Sequence, residues 1–269
     1  MKRVAAVQMA SGPNVSANLI EVKRLVNQAV DAGARLVVLP ENFALMGNVD
    51  GDMIKIAEQE GSGPIQAFLS ELAKKKNCWI VGGTLPIVSE DKNRVRASCL
   101  VFDDRGKQVA RYDKIHLFDV DIMDTEESYT ESKTIEPGSD VSTLDTPFGK
   151  LGLAICYDIR FPEIFRKLLD QGVEIFAIPS AFTAITGRAH WETLVRARAI
   201  ENLCYVIAAG QGGYHVSGRE THGDSMIVDP WGRVLDRLPR GSGIVIADID
   251  QEQLQNIRQN FPAIAHRRL

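Results

Sequence analysis

Cys156 closes a strand-like apolar run, Leu151-Gly152-Leu153-Ala154-Ile155, and is followed at once by Tyr157-Asp158-Ile159-Arg160-Phe161-Pro162-Glu163. A continuous apolar run reads as a buried strand. Pro162 with Glu163 behind it reads as the first turn of a helix. A thiol at a sharp strand-to-helix turn is held out from the backbone, as the nucleophile elbow presents a serine. The positive end of the following helix would favour the thiolate. The plainer reading of such a cysteine is a small packed hydrophobe. That reading suits Cys78 and Cys204, which each open an apolar run after a helical pattern, and Cys99, which lies within one.

A thiol nucleophile needs a base, and donors for a developing oxyanion. Five histidines are available, His116, His190, His215, His222 and His266. No papain or caspase signature surrounds Cys156, so a Cys–His dyad has little to recommend it. His215, His222 and Asp224 lack metal-ligand spacing and read as a polar loop. No metal or cofactor is expected.

The elements that must position the thiol are written twice. Residues Val30-Asp31-Ala32-Gly33-Ala34-Arg35-Leu36-Val37-Val38-Leu39-Pro40-Glu41-Asn42-Phe43 align with Leu169-Asp170-Gln171-Gly172-Val173-Glu174-Ile175-Phe176-Ala177-Ile178-Pro179-Ser180-Ala181-Phe182, with Asp, Gly, Pro and Phe at one constant separation. Further on, Cys78-Trp79-Ile80-Val81 matches Cys204-Tyr205-Val206-Ile207, and the Asp103–Gly106 turn matches Asp229–Gly232. Each half reads helix, strand, helix, strand, then a hairpin turning at Asp-x-x-Gly. The helices are expected at 17–32, 65–76, 162–171 and 190–202. Continuously apolar strands imply sheets covered on both faces. Two such halves packed sheet to sheet give an α/β fold, a four-layer αββα sandwich with an internal pseudo-twofold axis. No linker divides the chain, so residues 1–269 read as a single domain. Strand ends carry the site in open α/β sheets, so Glu41, Ser180 and Cys156 are expected to converge.

Composition agrees with a large globular core: 269 residues, 45% hydrophobic and 25% charged. A formal net charge of −4 leaves no basic footprint for nucleic acid. Four cysteines without a CxxC pair argue against a disulfide framework. The N-terminal segment does not read as a signal peptide, and no stretch is apolar enough to span a bilayer. A cytoplasmic protein without a membrane partner is expected.

Glu41 stands in Leu39-Pro40-Glu41-Asn42-Phe43 and Lys114 in Arg111-Tyr112-Asp113-Lys114-Ile115-His116-Leu117-Phe118. Taken singly, a glutamate after Leu-Pro and a lysine in a charged stretch are ordinary surface residues. Together with the Cys156 segment, and in this order, they resemble the three motifs of the nitrilase superfamily of carbon–nitrogen hydrolases. The resemblance runs from about Val4 to the Phe261–Arg268 ending, and it implies the αββα sandwich. It also implies roles. Glu41 is the general base, Cys156 the nucleophile that forms a thioester, and Lys114 with the backbone N–H of Tyr157 the oxyanion donors, with ammonia leaving. A second carboxylate near the triad corresponds to Glu131, which would hold Lys114, with Glu126 and Glu127 as neighbouring rivals.

Cys156-Tyr157-Asp158 resembles the small-amide amidase branch. The stretch from Pro179 to Glu192 and the His266-Arg267-Arg268 ending are similar to the deaminated glutathione amidases. ω-Amidases acting on α-ketoglutaramate are the close alternative, and other small-amide or carbamoyl hydrolases lie further off. The substrates of both branches are anionic. Arg160, Thr183 and Thr186 are therefore expected as donors, with Phe182 as an apolar wall. Arg160 has a structural alternative, an ion pair with Glu163 or Asp158. A catalytically spent interaction module and a redox-sensing thiol protein are the readings from other classes; the joint presence of Glu41, Lys114 and Cys156 speaks against both. The family also implies a homodimer or larger homo-oligomer, with the C-terminal segment near a subunit contact.

Overall fold

In strand β1 (Lys2–Gln8) successive side chains enter two different cores. Val4 and Ala6 pack in one cluster, and Ala5 and Val7 in another. That is the period-two alternation of a strand covered on both faces. The computed structural model describes residues 2–49, 51–122 and 127–268.

The first half continues with α1 (Val15–Asp31), β2 (Leu36–Val38), α2 (Asp52–Lys55), α3 (Pro64–Lys76), β3 (Trp79–Val81), β4 (Leu85–Val88), β5 (Val95–Phe102) and β6 (Gln108–Asp113). Two short strands, β7 (Asp119–Asp121) and β8 (Ser128–Thr130), then pair antiparallel. The second half runs β9 (Ser142–Thr146), β10 (Gly149–Leu153), α4 (Pro162–Asp170), β11 (Ile175–Ser180), α5 (Ala184–Asn202) and β12 (Tyr205–Gly210). It closes with the hairpin β13 (Gly212–Tyr214) and β14 (Glu220–His222), then β15 (Ser225–Val228), β16 (Val234–Leu238), β17 (Gly243–Ile249) and α6 (Gln251–Asn260).

The expected repeat is present, with β4, antiparallel to β5, as an extra strand in the first sheet. In the first sheet β1, β2 and β3 are parallel neighbours, β5 joins antiparallel, and β6 pairs with β5. In the second sheet β10, β11, β12, β15 and β16 repeat that order and those directions. Each sheet gains an antiparallel strand on the same edge, β17 beside β1 and β9 beside β10. The register slips at Val101/Phe102 in one half and at Ile227/Val228 in the other. The matching hairpins turn alike. Asp103 Oδ1 accepts from the N–H groups of Arg105 and Lys107, and Asp229 Oδ1 from those of Trp231 and Arg233. Gly106 and Gly232 follow with φ of +80° and +83°, which only glycine adopts without cost.

The layers follow from which faces are apolar. α1 and α3 cover the outer face of the first sheet through Val22, Leu25, Leu69 and Leu72. The inner face, with Leu36, Val38 and Val81, shares a core with the second sheet, whose other face lies under Phe165, Leu168, Trp191 and Val195 of α4 and α5. The result is the four-layer αββα sandwich. The chain crosses from the second sheet back to the first as β17, so the two halves are interlaced at one edge.

One helix begins earlier than its sequence suggests. α5 starts at Ala184, not near His190. Thr183 caps it by accepting from the Thr186 N–H at 3.3 Å. The Thr186-Gly187 pair reads as a loop, but Gly187 is needed inside the helix because a Cβ there would lie 2.3 Å from His222.

Candidate active site

Lys114 follows the last residue of β6, and its side chain is only 2% exposed. A buried ammonium is tolerated only with carboxylates to compensate it. Two are present. Nζ lies 2.7 Å from Glu41 Oε1 and 2.8 and 2.9 Å from the two oxygens of Glu131. Glu131 Oε2 also accepts from the Phe118 N–H at 2.6 Å. Burial alone would lower the Lys114 pKa, but Glu131, Glu41 and Cys156 outweigh it and hold it well above its ordinary value. Glu131 is pushed up by burial and by the neighbouring charge of Glu41, against the pull of Lys114. Of its two rivals, Glu127 accepts from the Tyr129 hydroxyl, and Glu126 lies outside the described residues.

Glu41 follows Pro40, two residues beyond the end of β2. Its placement is fixed from both halves. Asn42, in a left-handed conformation with φ of +57°, donates its N–H to Thr84 Oγ1 at 2.8 Å. Gln211, just past β12, donates to the Glu41 carbonyl at 3.0 Å and bonds Ser11 through both ends of its amide.

Cys156 differs from its expected setting in two respects. A 3₁₀ turn, Cys156–Arg160, stands between β10 and α4, so the thiol does not sit directly at the N-terminus of α4. The thiol pKa is also raised well above its usual value: burial is the largest cause, then the charge of Glu41, with Lys114 opposing. With its pKa raised in this way, Cys156 would need a base in order to act as a nucleophile. Its φ is +45°, a conformation that costs a non-glycine residue about 1–3 kcal/mol.

Asp158 holds this strained turn. Fully buried, it accepts from the Ile155 N–H at 2.8 Å, the Tyr112 hydroxyl at 2.7 Å and the His116 N–H at 3.0 Å, and Oδ1 lies 2.7 Å from His116 Nδ1. Tyr112 and His116 flank Lys114 at two residues on either side. One carboxylate thus ties the Cys156 turn to the strand end that presents Lys114. His116 is stacked on Phe161 at 3.7 Å.

These groups open on a cavity of about 260 Å³. Glu41, Lys114, Glu131, Cys156, Tyr157, Phe182, Thr183 and Thr186 all line it. Thr183 and Thr186 do so from the start of α5 rather than from a loop, with their hydroxyls 2.8 Å apart. Two expectations are corrected. Ser180 is buried but not among the lining residues; its hydroxyl turns back to the Ile178 carbonyl at 3.3 Å, and Ala181 faces the cavity instead. Arg160 is not among the lining residues either, although it packs against two that are. Its guanidinium packs over Phe182 at 5.2 Å and Tyr157 at 5.8 Å, and Nη1 lies 3.2 Å from His190 Nδ1. Among the described residues it forms no ion pair with Glu163 or Asp158. Arg219, which its sequence context does not single out, does line the cavity. Its neighbour His215 is held between the Ser11 carbonyl and Thr221 Oγ1, each at 2.8 Å. Among the described residues, no group of three His, Cys, Asp or Glu side chains is arranged to hold a metal.

Comparison with known proteins places this arrangement. The Carbon-nitrogen hydrolase family model matches residues 3–259. The deaminated glutathione amidase of Yersinia enterocolitica is 42% identical over 266 residues, covering 98% of this chain and 92% of that protein. The Homo sapiens protein of the same name is 39% identical over 98% of this chain and 82% of its own length. The C. elegans NitFhit protein superposes with a TM-score of 0.92 at 37% identity over 99% of this chain, which spans 65% of that longer protein. Saccharomyces cerevisiae Nit3, a member of branch 10 of the nitrilase superfamily, superposes with a TM-score of 0.89 at 32% identity, covering 100% of this chain and 97% of Nit3. The chain belongs to the carbon–nitrogen hydrolase family of the nitrilase superfamily and is a hydrolase of carbon–nitrogen bonds.

Proposed function

We propose that the chain hydrolyses a carboxylate-bearing amide through a Cys156 thioester, with deaminated glutathione as its preferred substrate. The observation that carries the mechanism is the buried Lys114 ammonium, held between Glu41 at 2.7 Å and Glu131 at 2.8 Å beside the Cys156 thiol. Glu41 takes the thiol proton as sulfur attacks the amide carbonyl carbon. The C–S bond forms, and the oxyanion is received by Lys114 and the Tyr157 N–H. As the tetrahedral intermediate collapses, the C–N bond breaks and Glu41 returns the proton to the leaving amine. Water, deprotonated by Glu41, then attacks the thioester. The C–S bond breaks and the thiol is restored. Glu131 keeps Lys114 charged and in place throughout.

Ammonia is the leaving group only for a primary amide such as α-ketoglutaramate. The amides of deaminated glutathione are secondary, so cleavage at its acyl end frees the amine of cysteinylglycine. Both substrates yield α-ketoglutarate, which gives one readout for both. Deaminated glutathione should show the higher kcat/KM, and a simple nitrile should give no comparable turnover. A preference for α-ketoglutaramate would move the chain to the ω-amidase reading.

We read the chain as one working domain. No helix among the described residues is long and apolar enough to cross a membrane. Cytoplasmic residence fits the four cysteines, all buried free thiols. The homo-oligomer expected from the family would use the exposed Trp231 and Phe261, which meet edge to face beside α6. Light scattering tests this, and a monomer at micromolar concentration would contradict it.

A further inference from the structure

The proposed substrate carries a carboxylate, and the cavity already holds two of its own, Glu41 and Glu131. Lys114 is committed to both. The other cation lining the cavity among the described residues is Arg219. Its Nη2 donates to the Ala181 carbonyl at 2.8 Å, and its guanidinium packs over the Tyr129 ring at 5.1 Å. Its Nε is buried without a hydrogen-bond partner among the described residues. A buried donor left unpaired is costly and calls for an acceptor.

The segment around Arg219 is built to hold it still. The His215 N–H donates to the Arg219 carbonyl and the Gly218 N–H to the His215 carbonyl, each at 2.9 Å. β14, which follows, is stitched to the cavity wall: the His222 N–H donates to the Phe182 carbonyl, and Thr221 bridges to Thr183. Ala181, which anchors the guanidinium through its carbonyl, lines the same cavity as Cys156. Arg219 is thus fixed on the wall of the cavity that Cys156 also lines, with donors to spare.

Resting on the amide-hydrolase reading above, we propose that Arg219 binds the substrate's carboxylate and sets the preference for anionic amides. The planar guanidinium suits that group, donating to its oxygens from Nε and the free N–H groups of the fork. It also draws the carboxylate away from Glu41 and Glu131, leaving the amide carbonyl to Cys156.

Two readouts test this on the full-length enzyme. The first is kcat/KM for deaminated glutathione against a neutral amide of similar length, in wild type, Arg219→Gln, Arg219→Lys and Arg160→Gln. In Arg219→Gln the anionic-to-neutral ratio should fall about tenfold to a hundredfold, chiefly through KM. Arg219→Lys should recover part of it, and Arg160→Gln should keep most of the wild-type ratio. The second is protection of Cys156 from iodoacetamide by α-ketoglutarate, which needs no turnover. Protection should be present in wild type and in Arg160→Gln, and lost in Arg219→Gln. Equal losses on both amides, or retained protection in Arg219→Gln, would overturn the assignment, as would transfer of the selectivity to Arg160. If no amide is hydrolysed but protection still depends on Arg219, the anion site stands and the hydrolase reading fails.

Discussion

Met9 and Cys156 occupy the same place in the two halves, counted from the registers Val4–Leu36 and Leu151–Ile175. Met9 continues its strand, bridges in parallel to Gln211 and joins the core under α1 and α3. Cys156 instead turns at φ of +45° into a 3₁₀ segment whose geometry is held by Asp158. Glu41 and Ser180 form a second pair, each just past the proline at a strand end. Glu41 reaches Lys114 at 2.7 Å, whereas the Ser180 hydroxyl folds back on Ile178. The repeat therefore builds the scaffold and gathers the strand ends, and the proposed chemistry lies where the halves depart from each other. Departure has a physical cost, a left-handed cysteine and a buried three-charge cluster, which a position inside the scaffold can hold.

Substitutions that erase these departures should have effects graded by how directly they touch the reaction. Cys156→Ala removes the proposed nucleophile and should lower kcat on the order of 10⁵-fold or more while the fold persists, as read by circular dichroism. Comparable turnover in this variant would end the comparison. Glu41→Gln removes the proposed base and should lower kcat by about a hundred- to ten-thousandfold. It also removes a charge that holds the thiol pKa up. The pH midpoint for iodoacetamide alkylation of Cys156 should therefore shift downward as turnover is lost, and an upward shift would contradict the assigned electrostatics. Asp158→Asn faces an amide N–H₂ toward existing donors. It should cost about 2–4 kcal/mol in urea unfolding, with at least a tenfold loss of kcat as the Cys156 turn loosens. Ser180→Ala should be the mildest, changing stability by under about 1 kcal/mol and leaving kcat at its wild-type level. A large kcat loss there would mean that the second half contributes chemistry at that position after all.

Much of this was legible in the residues. The doubled Asp-Gly-strand-Pro-Phe pattern foretold the two matched sheets, and the three motif segments foretold the cluster of Glu41, Lys114 and Cys156. Glu131 was legible through family resemblance alone. The rest depends on contacts between distant segments. Asp158 looks like one more acid beside Arg160, because the donors it serves come from β6 and the residues after it. Arg219 sits in Ser217-Gly218-Arg219-Glu220, which reads as a surface turn until β14 is sewn to Phe182 and Thr183. The early start of α5 was hidden because Gly187 reads as a breaker, while its real office is to admit His222. The raised thiol pKa likewise reflects burial and Glu41, neither of which a strand-to-helix pattern encodes.

The central claim, a thioester on Cys156, is tested most directly by rapid-quench mass spectrometry of the wild-type enzyme mixed with deaminated glutathione. An α-ketoglutaryl adduct on the Cys156 peptide should form before steady-state product release and disappear on treatment with hydroxylamine. The same peptide in Cys156→Ser should carry no thioester. Steady turnover with no adduct on Cys156 at any quench time, or an adduct on Cys78, Cys99 or Cys204 instead, would contradict the mechanism.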